Sequence, residues 1–418
     1  MTTLLAIGDI HLGRSPAALH PDLQTQRPGL GPEAAWRRCV NEALERGVDG
    51  VLLAGDVVER SRDLLVAYGD LKQGIDQLAA AGIPVLAVAG NHDTLVLPRL
   101  AAEIDALHLL GAGGRWQKKS LGKLSVLGWS FPRPHVRHNP LHELPRIERP
   151  ERVIGLLHCD RDQSDSPYAP VTSQDLEAAG TAAWLLGHIH QPDRLDGERP
   201  IGYLGSATAL RASDTGPRGP WLIEFNDGQL AATQLPLAPL RFDTVQIDVS
   251  PLEAPEDLAE ATLAAGRAHI ETLQNERFVP DVIGLRLTLT GRCRFESALT
   301  QAADDLIAGS RPWKEGSIRL FVQKVVVATG AAADLERLAR QEDPCGLLAR
   351  RILVLQDSAH PEHQDLIARA RPHLAEAAGQ KEFRELAADL DDEGVRYWLL
   401  QAARTTLNDL LAQKPGAP

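Results

Sequence analysis

Short, continuously apolar runs alternate with amphipathic stretches through the first half of the chain. Leu4–Ile7, Val51–Ala54, Val85–Ala89, Leu124–Gly128, Val153–Leu157, Trp184–Leu186 and Trp221–Phe225 read as strands. Most lack polar alternation, which predicts cover on both faces. Helices are expected at Pro32–Arg46, which opens on Gly31-Pro32, and at Leu64–Ala81, which closes into Gly82-Ile83-Pro84. After about Pro236 the rhythm changes. Phe242–Val249 and Val282–Leu289 alternate like half-buried strands, Leu258–Leu273 and Phe295–Ile307 read as helices, and Ile318–Val327 as a further strand. This order predicts a small separate α/β domain. From Ala331 onward helix formers dominate, with helices expected at Asp334–Leu355, Pro361–Ala378 and Glu393–Ala412. In the last, Trp398, Leu399, Ala402, Ala403, Leu407, Leu410 and Leu411 share one face, which either packs on the rest of the chain or docks a partner helix. The expected division is therefore 1–236, 237–330 and 331–418, the last ending in a short low-complexity tail, Lys414–Pro418.

A chain of 418 residues with 44% hydrophobic content is too long for one ordinary domain and can bury a sizeable core. Its four cysteines (Cys39, Cys159, Cys293 and Cys345) are scattered, so buried thiols are expected rather than disulfides or a cysteine zinc site. Neither a membrane span nor a signal peptide is legible, and a cytoplasmic location is expected. The formal net charge of −12 argues against a protein that coats nucleic acid non-specifically. Locally the balance reverses. Between Arg115 and Arg152 nine basic residues stand against three acidic ones, with His135, His138 and His142 in addition. This stretch is either a surface facing a polyanion or a solvated loop, and within it Arg133, Arg137 and His138 are candidate substrate-binding residues.

Candidate chemistry collects just beyond the strands, where layered α/β folds place their ligand groups. The motifs are Gly8-Asp9-Ile10-His11, Gly55-Asp56, Gly90-Asn91-His92-Asp93, Gly155-Leu156-Leu157-His158 and Gly187-His188-Ile189-His190. Imidazole and carboxylate donors suit divalent manganese, iron or zinc. On an extended segment, Asp9 and His11 would project from the same face, as would His188 and His190. Each motif alone is weak. Five in this order, each behind an apolar run, make a strong signal.

The set resembles the calcineurin-like metallophosphoesterase signature and is complete. The resemblance implies a four-layer β-sandwich flanked by helices, carrying the small α/β domain as a cap and a helical C-terminal region. It further implies two divalent ions, manganese by preference with iron or zinc as alternatives, bridged by Asp56. Asp9, His11 and His190 would complete one ion site, and Asn91, His158 and His188 the other. A pair of ions lowers the pKa of a shared water and clamps the attacking and leaving oxygens of a phosphoryl displacement. His92 would stand beside the scissile phosphate as a catalytic group. Asp93 would either orient the His92 ring or cap its loop.

Gly187-His188-Ile189-His190-Gln191-Pro192 followed by Tyr203-Leu204-Gly205-Ser206 resembles the bacterial SbcD nuclease group, and Asp343-Pro344-Cys345-Gly346-Leu347-Leu348 resembles its YhaO-like branch. This implies a DNA repair nuclease that works with an SbcC-like coiled-coil ABC ATPase and can form a homodimer. Glu59 departs from the pattern, because some relatives place a histidine there. The chain carries no phosphate-loop motif, so an ATP-driven step would come from another subunit. A nucleotide or small-molecule phosphodiesterase, and a DNA-end-binding scaffold that does not cleave, are the alternatives.

Overall fold

The computed structural model describes all residues except 17, 227, 274–275, 294, 330–334, 358–359, 379–391 and 413–418. The expected boundary at 330–331 and the tail Lys414–Pro418 lie outside the described residues.

Strands β1 (Thr2–Ile7), β2 (Gly50–Leu53), β3 (Val85–Ala87) and β4 (Leu107–Leu109) run parallel, with helices α1 (Pro32–Arg46), α2 (Leu64–Ala80) and α3 (Val96–Glu103) between them. Pro32 sits at the first helical position of α1, and Gly47 ends the helix in the left-handed region at φ 59°. A second sheet follows: β5 (Gln117–Leu121), β6 (Leu124–Trp129), β7 (Val153–His158), β8 (Ala183–Gly187) and β9 (Ile201–Tyr203), in that spatial order. Its last four strands are parallel, and the short helix α4 (Ser173–Ala178) lies between β7 and β8. The chain then returns to the first sheet through β10 (Trp221–Asn226) and β11 (Gln229–Gln234), giving the order β11-β10-β1-β2-β3-β4.

Side-chain alternation turns these two sheets into layers. Leu5 and Ile7 of β1 pack with Trp36, Val40, Leu71 and Ile75 of the helices, whereas Leu4 and Ala6 pack with Val126, Ile154, Leu156 and Leu185 of the second sheet. The outer face of the second sheet, with Trp129, Leu157, Trp184 and Leu186, is covered by Leu176 of α4 and by Phe131 and Val136. Helix, sheet, sheet and covering layer stack in that order. Both faces of each central strand are dry, which is why those strands read as uninterrupted apolar runs. Burying each Leu or Val contributes about 1.5–3 kcal/mol, so the layering stabilises the frame that holds the strand ends.

Beyond Pro236 come β12 (Leu240–Asp248), α5 (Asp257–Leu273), β13 (Val282–Thr290), α6 (Glu296–Gly309), β14 (Trp313–Glu315) and β15 (Ile318–Val327), whose strands order as β12-β13-β15-β14. By compactness the chain divides into two units. One comprises Met1–Val245, Leu263–Leu287 and Ile307–Lys324, the other Gln246–Thr262, Thr288–Leu306 and Val325–Pro418. The second unit holds a helical core of α7 (Leu335–Ala339), α8 (Pro344–Gln356), α9 (His363–Ala378) and α10 (Asp392–Ala412). The single helix expected at Asp334–Leu355 is two helices. Pro344 disfavours helical geometry at the residue before it, and the Asp343 carboxylate accepts from the Gly346 N–H at 2.8 Å, which starts α8 afresh. On α10, Leu399, Ala403, Leu407, Leu410 and Leu411 pack in this core, so much of that face is taken up within the chain.

Candidate metal centre

Because β1, β2 and β3 are parallel, and β7 and β8 are parallel, the loops leaving their carboxyl ends emerge together. Those loops bring Asp9, His11 and His190 into one group, and Asp56, His158 and His188 into another, with donor atoms in each group within 4.8 Å of one another. Asp56 lies next to both groups. Its Oδ2 is 3.4 Å from His158 Nε2 and 3.9 Å from His11 Nε2. Asn91 Oδ1 lies 3.1 Å from both His158 Nε2 and His188 Nδ1, and those two nitrogens are 3.3 Å apart. All seven expected ligands therefore converge. His11 Nε2 is buried without a hydrogen-bond partner. Two imidazole nitrogens and an amide oxygen turned on one point, beside an unpartnered nitrogen and a carboxylate, fit divalent cations.

The local backbone differs from the extended geometry expected of the Asp-x-His pair. Asp9 and His11 have φ of 42° and 56°, Asp56 has 46° and His188 has 104°. The chain turns sharply straight after each strand, and convergence comes from these turns rather than from strand alternation. Gly90 permits a close approach, since a Cβ there would stand 2.2 Å from Asp56 Oδ1.

Electrostatics follow from the crowding. Burial alone would raise the Asp56 carboxyl, but His158, His11 and His92 overcome it and hold the group well below the ordinary range. His158 is also buried, and the Asp56 charge outweighs that burial to lift it to about 9. Asp93 is pushed up to about 7 by burial and by the neighbouring Asp56 charge.

Each histidine ligand candidate is held from behind through its other nitrogen. His158 Nδ1 lies 3.0 Å from the Ala54 carbonyl oxygen, His188 Nε2 3.3 Å from Asp160, and His190 Nδ1 3.6 Å from Asp214. Glu59 Oε2 stands 2.8 Å from His11 Nδ1, off the line of a good hydrogen bond. The His11 contact, opposed by burial and helped by Arg14 and His92, draws the Glu59 carboxyl down to about 2. Such outer partners fix ring orientation and the nitrogen that faces a metal. Glu59 thus has a place in this site although it departs from the nuclease pattern. Asp160 and Asp214 escape a reading of the sequence. Asp160 left one local signal, two residues after His158, whereas nothing near Asp214 in the chain marks it.

His92 is exposed, with Nδ1 3.1 Å from the Glu59 carbonyl oxygen, which leaves Nε2 to face outward. Asp93 does not orient that ring. Its buried carboxylate accepts from the backbone N–H of Val57 at 2.7 Å and of Gly90 at 2.8 Å, tying the β2 and β3 loops together. Of its two expected roles, this is the loop cap.

Arg218 carries the turn of His188 and His190, the last two ligand candidates in the chain. The fully buried guanidinium donates to the carbonyls of His190 and Thr215 and, at 2.6 Å, to Gln191 Oε1. The Tyr203-Leu204-Gly205-Ser206 motif supports the same region. Tyr203 Oη accepts from the Arg161 N–H at 2.6 Å, and Ser206 N–H donates to the His190 carbonyl at 2.9 Å. Gly205 is needed because a Cβ would meet that carbonyl at 2.8 Å.

The basic stretch is only partly gathered. Arg133, His135, Arg137 and His138 line a pocket of about 490 Å³. Lys118 and Lys119 lie on the edge strand β5, and Lys123 sits in the turn before β6, at the end opposite the ligand loops. No helix among the described residues is long and apolar enough to cross a membrane.

Comparison with known proteins agrees with this geometry. Residues 2–192 match the calcineurin-like phosphoesterase family, and residues 242–330 match the middle domain of the metallophosphoesterase YhaO. The metallophosphoesterase YhaO of Bacillus subtilis is 29% identical over 206 residues, 47% of this chain and 50% of that protein. The DNA double-strand break repair protein Mre11 of Haloferax volcanii is 29% identical, covering 60% of this chain and 55% of its own length. Mre11 of Aeropyrum pernix is 28% identical over 54% of this chain and 58% of its own. The chain thus spans between half and three-fifths of the length of these curated relatives. With a complete donor set at the ends of the parallel strands and both family models matched in order, residues 2–192 form a calcineurin-like metallophosphoesterase domain, followed by a YhaO-like middle domain at 242–330.

Proposed function

We propose that this metallophosphoesterase is a DNA nuclease that hydrolyses phosphodiester bonds. The observation that carries the reading is the convergence of seven donor side chains from five strand ends, six of them around Asp56. In this reading Asp9, His11, His190 and Asp56 hold one divalent ion, and Asn91, His158, His188 and Asp56 hold a second, manganese by preference over iron or zinc. When bound, such a pair neutralises phosphate oxygens and lowers the pKa of an attacking water. Asn91 brings a neutral oxygen, so its site keeps more positive charge than a second carboxylate would leave. His92 stands at the exposed mouth with Nδ1 against the Glu59 carbonyl, and its Nε2 is the group that protonates the leaving oxygen.

DNA as substrate draws support from the two Mre11 relatives, from the GHIHQP and YLGS motifs, and from the basic pocket at Arg133, Arg137 and His138. The same reading divides the chain into nuclease domain 1–236, cap 237–330 and helical region 331–418, the last docking an SbcC-like coiled-coil ABC ATPase, with a homodimer as the assembly. Purified protein with Mn²⁺ and single-stranded or duplex DNA tests it, with Asp56→Asn and His92→Ala as controls. Metal-dependent cleavage lost in both variants is the expected result. Brisk turnover of small phosphate esters without any DNA cleavage would favour the nucleotide or small-molecule phosphodiesterase, a reading to which the net charge of −12 lends some weight.

A further inference from the structure

We propose that the segment 133–138 is a phosphate subsite that binds the backbone of a nucleic-acid strand beside the scissile bond. The inference rests on the nuclease reading above and deepens it, because it assigns the residues that hold the strand's backbone. Neighbours of the segment on either side touch the candidate metal centre. At one end Phe131 is buried, with its ring 5.7 Å from the His158 ring, edge to face. At the other, buried Val136 donates its N–H to the Pro167 carbonyl and its own carbonyl accepts from Ala169 N–H, both at 2.7 Å. This bridge places Tyr168 alongside, and the Tyr168 ring stands 4.9 Å from His188 and 5.8 Å from His135. His158 and His188 belong to the same expected ion site. The basic segment is thus a strap that follows a residue packed on His158 and is bridged to one packed on His188.

What the strap presents is one-signed. Arg133, His135, Arg137 and His138 are all exposed and line the pocket, and no carboxylate lines it. Neither arginine has an ion-pair partner among the described residues. In a chain of net charge −12, two guanidiniums without an ion-pair partner among the described residues leave a strong local field for an anion. A guanidinium presents a planar fork that matches phosphate oxygens. A small ester has one phosphate, which the metal centre takes. A nucleic-acid strand carries further phosphates at regular spacing, and these can reach the strap.

The test compares a single-stranded oligonucleotide with bis(p-nitrophenyl) phosphate, using Mn²⁺-loaded wild type, the double variant Arg133→Ala/Arg137→Ala and the charge-retaining Arg133→Lys/Arg137→Lys. The readout is the ratio of KM for the oligonucleotide to KM for the ester. Loss of two phosphate contacts should raise that ratio about tenfold and make the slope of log affinity against log salt shallower by about 1.4. The lysine variant should restore the salt slope and recover only part of the KM. A ratio that stays at the wild-type value, whether both KM values rise together or neither moves, overturns the subsite while leaving the nuclease reading intact. Wild-type protein that turns over the ester and neither binds nor cuts the oligonucleotide overturns both.

Discussion

Replacing Arg218 with alanine should loosen the turn that presents His188 and His190, and the cost can be worked from its contacts. The guanidinium is 1% exposed and makes three hydrogen bonds, to the His190 carbonyl, Gln191 Oε1 and the Thr215 carbonyl. Hydrogen bonds to a charged group contribute about 1.5–3 kcal/mol each, but burial of the guanidinium offsets part of that sum. Burial also lowers the Arg218 pKa, and its Nε has no partner. The His190 carbonyl keeps one donor, the Ser206 N–H, so it is not orphaned by the substitution. The net loss should be about 3 kcal/mol, near the lower end for breaking a buried charged network. For a unit of this size, that lowers Tm by about 5 °C. The turn also sets His190 against Asp214, so Mn²⁺ affinity should fall roughly ten- to hundredfold, as for lost outer partners of metal ligands. Thermal unfolding followed by circular dichroism and Mn²⁺ titration calorimetry read the two effects separately. An alanine variant within 1 kcal/mol of wild type, with equal Mn²⁺ affinity, would refute the assignment of Arg218 to this turn.

Asp160→Asn removes the charge behind His188 Nε2 while keeping its shape, so Mn²⁺ affinity should drop about tenfold or more with little change in Tm; an unchanged titration curve would contradict the outer-partner role. Gly90→Ala forces a Cβ against Asp56 Oδ1 at 2.2 Å, so metal-dependent ester hydrolysis should fall by orders of magnitude; near-wild-type turnover would mean that the Asp56 loop shifts freely. Asp243 sits buried between Arg241 Nε and His269 Nε2, each at 2.7 Å, and these partners overcome burial to lower its pKa. Its stabilising contribution is therefore full above the unfolded carboxyl pKa of about 3.9 and is lost as pH falls through the lower folded value. Asp243→Asn should cost about 3–5 kcal/mol near neutrality and flatten stability against pH below about 4, both read by urea unfolding at a series of pH values.

The sequence showed the frame of the centre and hid its supports, for physical reasons. Strands covered on both faces, such as Leu4–Ile7 and Val153–Leu157, stand out as apolar runs. Helix α1 coincides with Pro32–Arg46 because Pro32 and Gly47 punctuate it. The edge strands β5 (QKKSL) and β11 (QLAATQ) escaped notice because an exposed edge needs little apolar surface. The break before α8 was readable in Asp343-Pro344, a capping pair, yet continuous helix formers on either side masked it. Among site residues the metal-facing set was legible from motif spacing. Asp160, Asp214 and Arg218 were not, since a side chain that supports a ligand from behind can come from any loop that folds near it. The partner of His190 lies 24 positions further along the chain.

The turns at Asp9, His11, Asp56 and His188 explain why so much of the surrounding structure is rigid. Among the described residues eight non-glycine positions have positive φ, and half of them are ligand candidates. Each such residue costs about 1–3 kcal/mol, so four together approach the whole stability of an ordinary domain. That strain persists only where neighbours over-determine the backbone. Here His11 N–H donates to the Asp56 carbonyl at 2.9 Å and Leu12 N–H to Val57 at 2.8 Å. The His188 N–H is held by both Asp9 carboxylate oxygens at 3.1 Å, and the Asp93 carboxylate clamps the Val57 and Gly90 loops. These bonds use backbone donors and buried acceptors that need no metal, so the donor geometry belongs to the fold itself. The stability lost to the bent backbone returns as metal affinity, because the donors need no rearrangement on binding. A framework of apolar strands covered on both faces is what allows the polar centre to be held in that state.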